Sequence, residues 1–281
     1  MNLLAAAAIF FAAQAAADEP ARGPIVSVGI ARSVAYIEIL PEGEFSMIDV
    51  KGGEITRLER GAPYRIEADR GRLIVGKHLF PGTTRLLPGA PGERVLINGK
   101  KYRGNILFRP NPDETLTVID ELDLEDYLEG VLPKEMSPGW HLEALKAQAV
   151  VSRSFAMAKL GKSGKKGYDL RDDAFSQIYD GQNTDSERIR RAVRETAGQV
   201  LVYDGKLLPG YFHSTCAGRT TSPGSVWGSS APTPKPLRGV RDKWCKISPH
   251  YKWTAYFRTA DILKSLQRKG INALRISRIR P

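Results

Sequence analysis

The stretch from Leu124 to Phe155, LEDYLEGVLPKEMSPGWHLEALKAQAVVSRSF, constrains the fold of this chain more than any other. Its second half places Leu142, Leu145, Ala149, Ser152, Ala156 and Leu160 at steps of three and four, the spacing of one helical face. Ser137 followed by Pro138 is a helix-entry signal, because proline loses no needed donor at the first helical position. His141 and Glu143 are alternative starts, and Gly161 is the natural stop. The first half reads as a short acidic, apolar-punctuated segment that turns between Pro133 and Pro138. Glu135 is therefore expected in a turn just ahead of a rigid helix, where a carboxylate can be aimed. The ordinary alternative is a solvated side chain that interacts with the helix dipole.

The run resembles the core signature of the SpoIID/LytB family, named for the stage II sporulation protein D. There, Y-x-x-G-V-x-x-x-E-M leads into an L-E-A-L-K-A-Q-A helix, matched here by Tyr127, Gly130, Val131, Glu135, Met136 and then Leu142 to Ala149. The resemblance continues through Q-x-Y-x-G at Gln177, Tyr179 and Gly181, and F-H-S-T-x-x-G-x-T from Phe212 to Thr220 followed by Trp227. It ends in a segment that matches at Val240, Asp242, Ser248, Pro249 and Trp253. It implies a peptidoglycan lytic transglycosylase with Glu135 as the catalytic acid, or an amidase enhancer of the LytB type that binds glycan and modifies a wall amidase. Gln177, Tyr179, His213, Ser214 and Thr215 are then expected to line the substrate site. Gln148 and Ser152 share a helical face and can orient N-acetyl groups or Glu135. Arg153 is expected either there or as an ion-pair partner of Asp126 or Glu129. Some family members carry a Cys and a His-Cys pair just before the Gln, suited to zinc. Here those positions are Arg171, Phe175 and Ser176, none a zinc ligand, so neither metal nor cofactor is expected.

The chemistry suits a single acid. Glycosidases commonly use two carboxylates. A lytic transglycosylase lets the muramic acid C6 hydroxyl attack internally, which gains effective concentration and needs no positioned water. One Glu can protonate the leaving oxygen and then take the C6 proton. Burial near Leu132, Met136 and Trp140 would raise its pKa, and a nearby helix N-terminus would lower it.

Around this centre the 281 residues read as α+β. Met1 to Ala17, MNLLAAAAIFFAAQAAA, is too short for a comfortable membrane span and ends in an A-x-A-like site. It is read as a secretory signal peptide lacking a basic start, with an uncleaved anchor as the alternative. Residues 25–91 form a β-rich region with strands at Ile25–Ile30, Val34–Ile39, Phe45–Val50 and Leu73–Val75, and turns at Lys51-Gly52-Gly53 and Asp69-Arg70-Gly71. Residues 94–281 form the SpoIID-like domain, with strands at Val95–Ile97, Tyr102–Phe108 and Thr115–Ile119 and an Asn98-Gly99 hairpin. The polar segment 161–184 is long enough to be functional or mobile. A second helix spans Thr184 to Gly198, opened by a Thr184–Glu187 capping box, with its arginines on a solvated side. A hairpin turns at Asp204-Gly205. The tail reads as a helix, Ala260 to Lys269, then a strand from Ile271 or Leu274 that lacks partners if the chain is a fragment.

The net charge of +11 suits an anionic wall polymer. No nucleic-acid motif accompanies it, so nucleic acid is set aside as a partner. Cys216 and Cys245 are the only cysteines, and in an exported chain they are expected to form a disulfide, worth about 2–4 kcal/mol. Free thiols, or a zinc site with His213, are the alternatives.

Overall fold

The structure is a computed structural model that describes residues 23–51, 55–162, 164–182, 185–228 and 232–277. The signal-peptide reading of Met1–Ala17, the Gly52-Gly53 turn and the Thr184 cap lie outside these residues. The fold is α+β.

Short runs with every second side chain apolar become strands, because successive side chains of a strand point to opposite faces. β1 (Ile25–Val34), β3 (Phe45–Asp49), β4 (Ile55–Leu58), β8 (Thr84–Pro88), β11 (Asn105–Pro110), β12 (Leu116–Asp123) and β13 (Leu170–Arg171) build one sheet, in the order β13-β1-β12-β11-β8-β3-β4. β2 (Tyr36–Pro41), β5 (Tyr64–Asp69), β6 (Arg72–Val75), β7 (His78–Phe80), β9 (Val95–Ile97) and β10 (Lys100–Tyr102) build a second, in the order β10-β9-β2-β5-β6-β7. Val28, Phe45, Met47 and Phe108 of the first share one buried cluster with Ile37, Ile39, Ile66 and Val75 of the second. The Asn98-Gly99 turn joins β9 to β10 with both residues at positive φ, 48° and 78°, as a tight hairpin requires.

The pairing corrects the expected division near residues 91–94. β12 pairs with β1 and β11 with β8, while β9 pairs with β2, so the strands before and after that point are woven into the same two sheets. The chain instead separates into a unit ending at Tyr211 and a unit beginning at Phe212. Local pattern could not reveal this, because strand partners are chosen by long-range packing.

Three α-helices are seen among the described residues of the first unit. α1 (Leu124–Glu135) makes a helix of the acidic, apolar-punctuated segment, to which the sequence pattern assigns none, and of the first residues of the turn expected between Pro133 and Pro138. Gly130 and Pro133 argue against a helix locally, but burial of Leu124, Tyr127, Leu128, Val131 and Leu132 overrides them. Asp123 caps it by accepting from the Glu125 N–H at 2.8 Å. α2 (Leu142–Met157) starts at the His141 cap, one of the three expected starts, and stops short of Gly161. α3 (Glu187–Glu195) is capped by Ser186, with Ile189, Ala192 and Val193 inward. The 161–170 loop is pinned at its end: the Asp169 carboxylate accepts from Ser27 Oγ at 2.8 Å and from the Gly161 N–H at 2.9 Å.

The second unit holds the short helix α4 (Pro223–Trp227) and α5 (Thr259–Arg268), which matches the expected tail helix. Residues 271–277 carry no strand, so the expected terminal strand is not seen among the described residues. The 202–207 hairpin forms as β14 (Val202–Tyr203) and β15 (Lys206–Leu207), shorter than expected, with Asp204 and Gly205 at positive φ.

Asp120 of β12 is fully buried; its Oδ2 accepts from the Tyr179 hydroxyl at 2.7 Å and its Oδ1 has no partner among the described residues. Burial pushes this carboxyl up to about 7. A folded-state pKa above the unfolded value of about 3.9 means that its stabilising contribution is full below that value and is lost as pH rises through about 7. Urea titrations of the wild type and Asp120→Asn are expected to show the wild type losing stability relative to the variant as pH rises from about 4 to about 8.

Candidate active site

Glu135 is the last residue of α1, and the chain leaves it in an extended conformation at Met136. It is partly buried, and its Oε1 accepts the Ile178 N–H at 3.1 Å. Burial raises the Glu135 pKa, and the Ile178 hydrogen bond opposes the rise. The position at a helix C-terminus, rather than ahead of an N-terminus, also disfavours the carboxylate, because the partial charge there is negative.

The residues that bring Ile178 to Glu135 are those of the sequence signature. Gly130 faces the 179–181 segment so closely that a Cβ would lie 2.5 Å from Gly181 O and from the Tyr179 ring. Gly181 adopts φ +62° and in turn approaches Lys101 O, which accepts the Gln182 N–H at 2.7 Å. Tyr127 donates to Gln177 Oε1 at 3.1 Å, and Gln177 Nε2 donates to Ser152 O at 3.4 Å. Gln148 Nε2 donates to Ser152 Oγ at 3.1 Å. The alternation of buried Gln177, exposed Ile178 and buried Tyr179 leaves the middle residue at the surface beside Glu135.

The structure therefore brings Gln148, Ser152, Gln177, Tyr179 and Glu135 onto one assembly, with distinct placements. Ser152, Gln177 and Tyr179 are buried and act as supports, while Gln148 is half-buried. Arg153 is turned wholly inward. Its guanidinium grips Glu125 through Nε at 2.8 Å and Nη2 at 2.6 Å, and donates to Gln199 O at 3.0 Å. This replaces the expected pairing with Asp126 or Glu129 and leaves the side chain no face for a ligand.

Two contacts had no sequence signal. The Ile178 donor is a backbone group, which any residue type supplies. Arg188 donates to Pro138 O at 2.9 Å and to Trp140 O, tying α3 to the loop after Glu135, although its residue type fits the solvated side expected of it. At the positions that carry zinc-type ligands in some family members, the side chains bind one another. Arg171 pairs with Asp173 and lies 4.7 Å over the Phe175 ring, and its N–H donates to Ser176 Oγ at 3.1 Å.

In the second unit, His213 and Ser214 are exposed and Thr215 Oγ1 is 2.7 Å from Ser248 Oγ. Cys216 and Cys245 are neighbours, as expected, but their sulfurs stand 3.2 Å apart as free thiols, so the expected disulfide is not formed. Asp242 Oδ2 lies 3.1 Å from Cys216 Sγ. Thiol and backbone N–H donors, led by Cys245, hold the Asp242 carboxyl at about 2.

The family model for SpoIID, stage II sporulation protein, matches residues 112–203, which contain α1, α2, α3 and the 177–181 segment. Through this stretch the chain belongs to the SpoIID family. It is 37% identical over 186 residues to an uncharacterized protein of Brachyspira hyodysenteriae, covering 65% of this chain and 49% of that protein. It is 30% identical over 201 residues to the amidase enhancer of Bacillus subtilis, covering 70% of this chain and 27% of the relative. It is 30% identical over 163 residues to the stage II sporulation protein D of Bacillus subtilis, covering 53% of this chain and 47% of the relative. The chain thus spans from about a quarter to about half the length of these relatives.

If Arg153 is a structural clamp, Arg153→Ala strands Glu125 and is expected to cost about 3 kcal/mol of stability. Denaturant midpoints read this loss.

Proposed function

We propose that this chain is an exported peptidoglycan lytic transglycosylase in which Glu135 serves as acid and then base. The observation that carries the reading is the placement of Glu135, a partly buried carboxylic acid with a raised pKa whose Oε1 accepts the Ile178 N–H at the end of a buried helix. A protonated Glu135 gives its proton to the glycosidic oxygen as the bond to C1 breaks. The resulting carboxylate accepts the proton of the C6 hydroxyl as that oxygen closes the 1,6-anhydro ring. The Ile178 N–H supports the carboxylate formed halfway through, so the acid is neither locked neutral nor permanently ionised. In this reading Gln148, half-buried at one end of the Ser152–Gln177–Tyr127 hydrogen-bond chain, contacts an N-acetyl group. In the second unit, taken by itself, His213, Ser214 and Thr215 are residues of sugar-binding type in this reading.

Export rests on the signal-like Met1–Ala17 stretch; among the described residues no helix is long and apolar enough to cross a membrane. The positive charge of the chain complements an anionic wall polymer.

A second reading is favoured by the match to the amidase enhancer, which covers more of this chain than the match to the sporulation protein. In it the chain binds glycan and promotes a separate wall amidase. Incubation with peptide-free glycan strands followed by mass analysis separates the two. Products ending in 1,6-anhydro-muramic acid establish the transglycosylase, reducing ends indicate a hydrolase, and binding without cleavage supports the enhancer.

Glu135→Gln is expected to abolish cleavage while leaving the fold and glycan binding intact; cleavage near the wild-type rate would remove Glu135 from the reaction. The raised pKa also sets the pH dependence. Because the reactive form is the protonated acid, kcat/KM should fall as pH rises through the Glu135 pKa, with the fall centred above the ordinary glutamate range. A rate profile flat across that limb would contradict the assignment.

A further inference from the structure

We propose that Cys216, Asp242 and Cys245 form a binding site for a zinc-class divalent cation, separate from the glycan chemistry assigned to Glu135. Their ligand atoms all lie within 4.8 Å of one another, and among the described residues they are the cluster able to surround a metal ion. Two sulfurs and one carboxylate oxygen are a donor set that zinc accepts, with a fourth position left for water or an incoming ligand.

The backbone around them is built to hold the three in place. Cys216 opens a tight turn closed by its carbonyl accepting the Arg219 N–H at 3.2 Å. Ala217 and Gly218 sit there at φ +52° and +99°, which turns the chain sharply back behind the sulfur. Asp242 and Cys245 come from a second segment, three residues apart on the entry to a single 3-10 turn, Trp244–Ile247. The two segments are stitched by Thr220 N–H to Val240 O and Asp242 N–H to Gly218 O, both 2.9 Å. The site is thus fixed by main-chain pairing and does not depend on a bond between the sulfurs.

The contacts just outside the donor atoms are of the kind metal ligands receive. Asp242 Oδ1 accepts the Trp244 N–H at 2.8 Å, which orients the carboxylate and leaves Oδ2 toward Cys216. The Cys216 N–H points at Cys245 Sγ at 3.3 Å, a donor that supports negative charge on sulfur. A tetrahedral ion with Zn–S bonds of about 2.3 Å sets its sulfurs about 3.8 Å apart. The present 3.2 Å must open by roughly 0.6 Å, within the reach of side-chain rotation at two partly exposed residues. Binding would displace thiol protons to solvent. The site differs from the Arg171, Phe175 and Ser176 positions, where no ligand type is present.

The test uses the reduced full chain and cobalt(II) as the probe, with zinc as competitor. A thiolate-to-cobalt charge-transfer band with tetrahedral d–d absorption should saturate at one equivalent and be erased by zinc. Zinc should also protect both thiols from alkylation, a readout independent of any variant. Cys216→Ser and Cys245→Ser should each remove the band. Asp242→Asn should weaken binding by more than the roughly 10–100-fold typical of losing an outer contact. Circular dichroism checks that the variants remain folded. The proposal is overturned if the reduced chain shows no band and no protection, or if the band survives both cysteine variants. It is equally overturned if chain recovered from its export compartment carries a Cys216–Cys245 disulfide and binds neither metal after reduction.

Discussion

The first unit depends on the close approach of α1 to the segment at Gln177–Gly181. At Gly130 there is no room for a Cβ, and at Gly181 the positive φ and the contact with Lys101 O exclude one as well. Interiors are packed too tightly to absorb such an intrusion without shifting their neighbours. Because the helix and the segment meet at this distance, Tyr127 reaches Gln177, Tyr179 reaches Asp120, and the Ile178 N–H arrives at Glu135. The site is a consequence of that contact.

The electrostatic state of Glu135 follows from the same packing. Partial burial and the helix C-terminus both favour the neutral acid, and one backbone donor favours the anion. Elsewhere the unit spends its charges differently: Glu125 is gripped by buried Arg153, and Asp180 is held low by Lys100 and Lys134 after its own desolvation is overcome. Glu135 thus stands apart from acids committed to ion pairs. An acid clamped by a cation stays ionised, so the proton-donor role proposed for Glu135 relies on that contrast.

The second unit is organised by backbone turns and a thiol–carboxylate cluster, with no buried residue on α4 or α5. A region with so little apolar core gains most from a cross-link or a bound ion, because either restricts the unfolded chain or favours the folded one. Cys216, Asp242 and Cys245 are positioned for that role.

The sequence alone determined the α2 face, the Asn98-Gly99 hairpin and the α+β class, because each is written in local periodicity or turn chemistry, and its long ordered motif marked Glu135 as the candidate acid. Only the tertiary structure decided the rest. It made Leu124–Glu135 a helix despite Gly130 and Pro133, since the burial of five apolar side chains outweighs local propensity. It also wove β9 and β12 into the sheets begun by β2 and β1, a choice of partner that no local pattern encodes. It showed that Gln177 and Tyr179 are buried supports and that Arg153 belongs to Glu125. Finally, it added Asp242 to the cysteine pair, a proximity hinted at by the Asp-x-x-Cys spacing but established only when two distant turns are stitched together by their backbones.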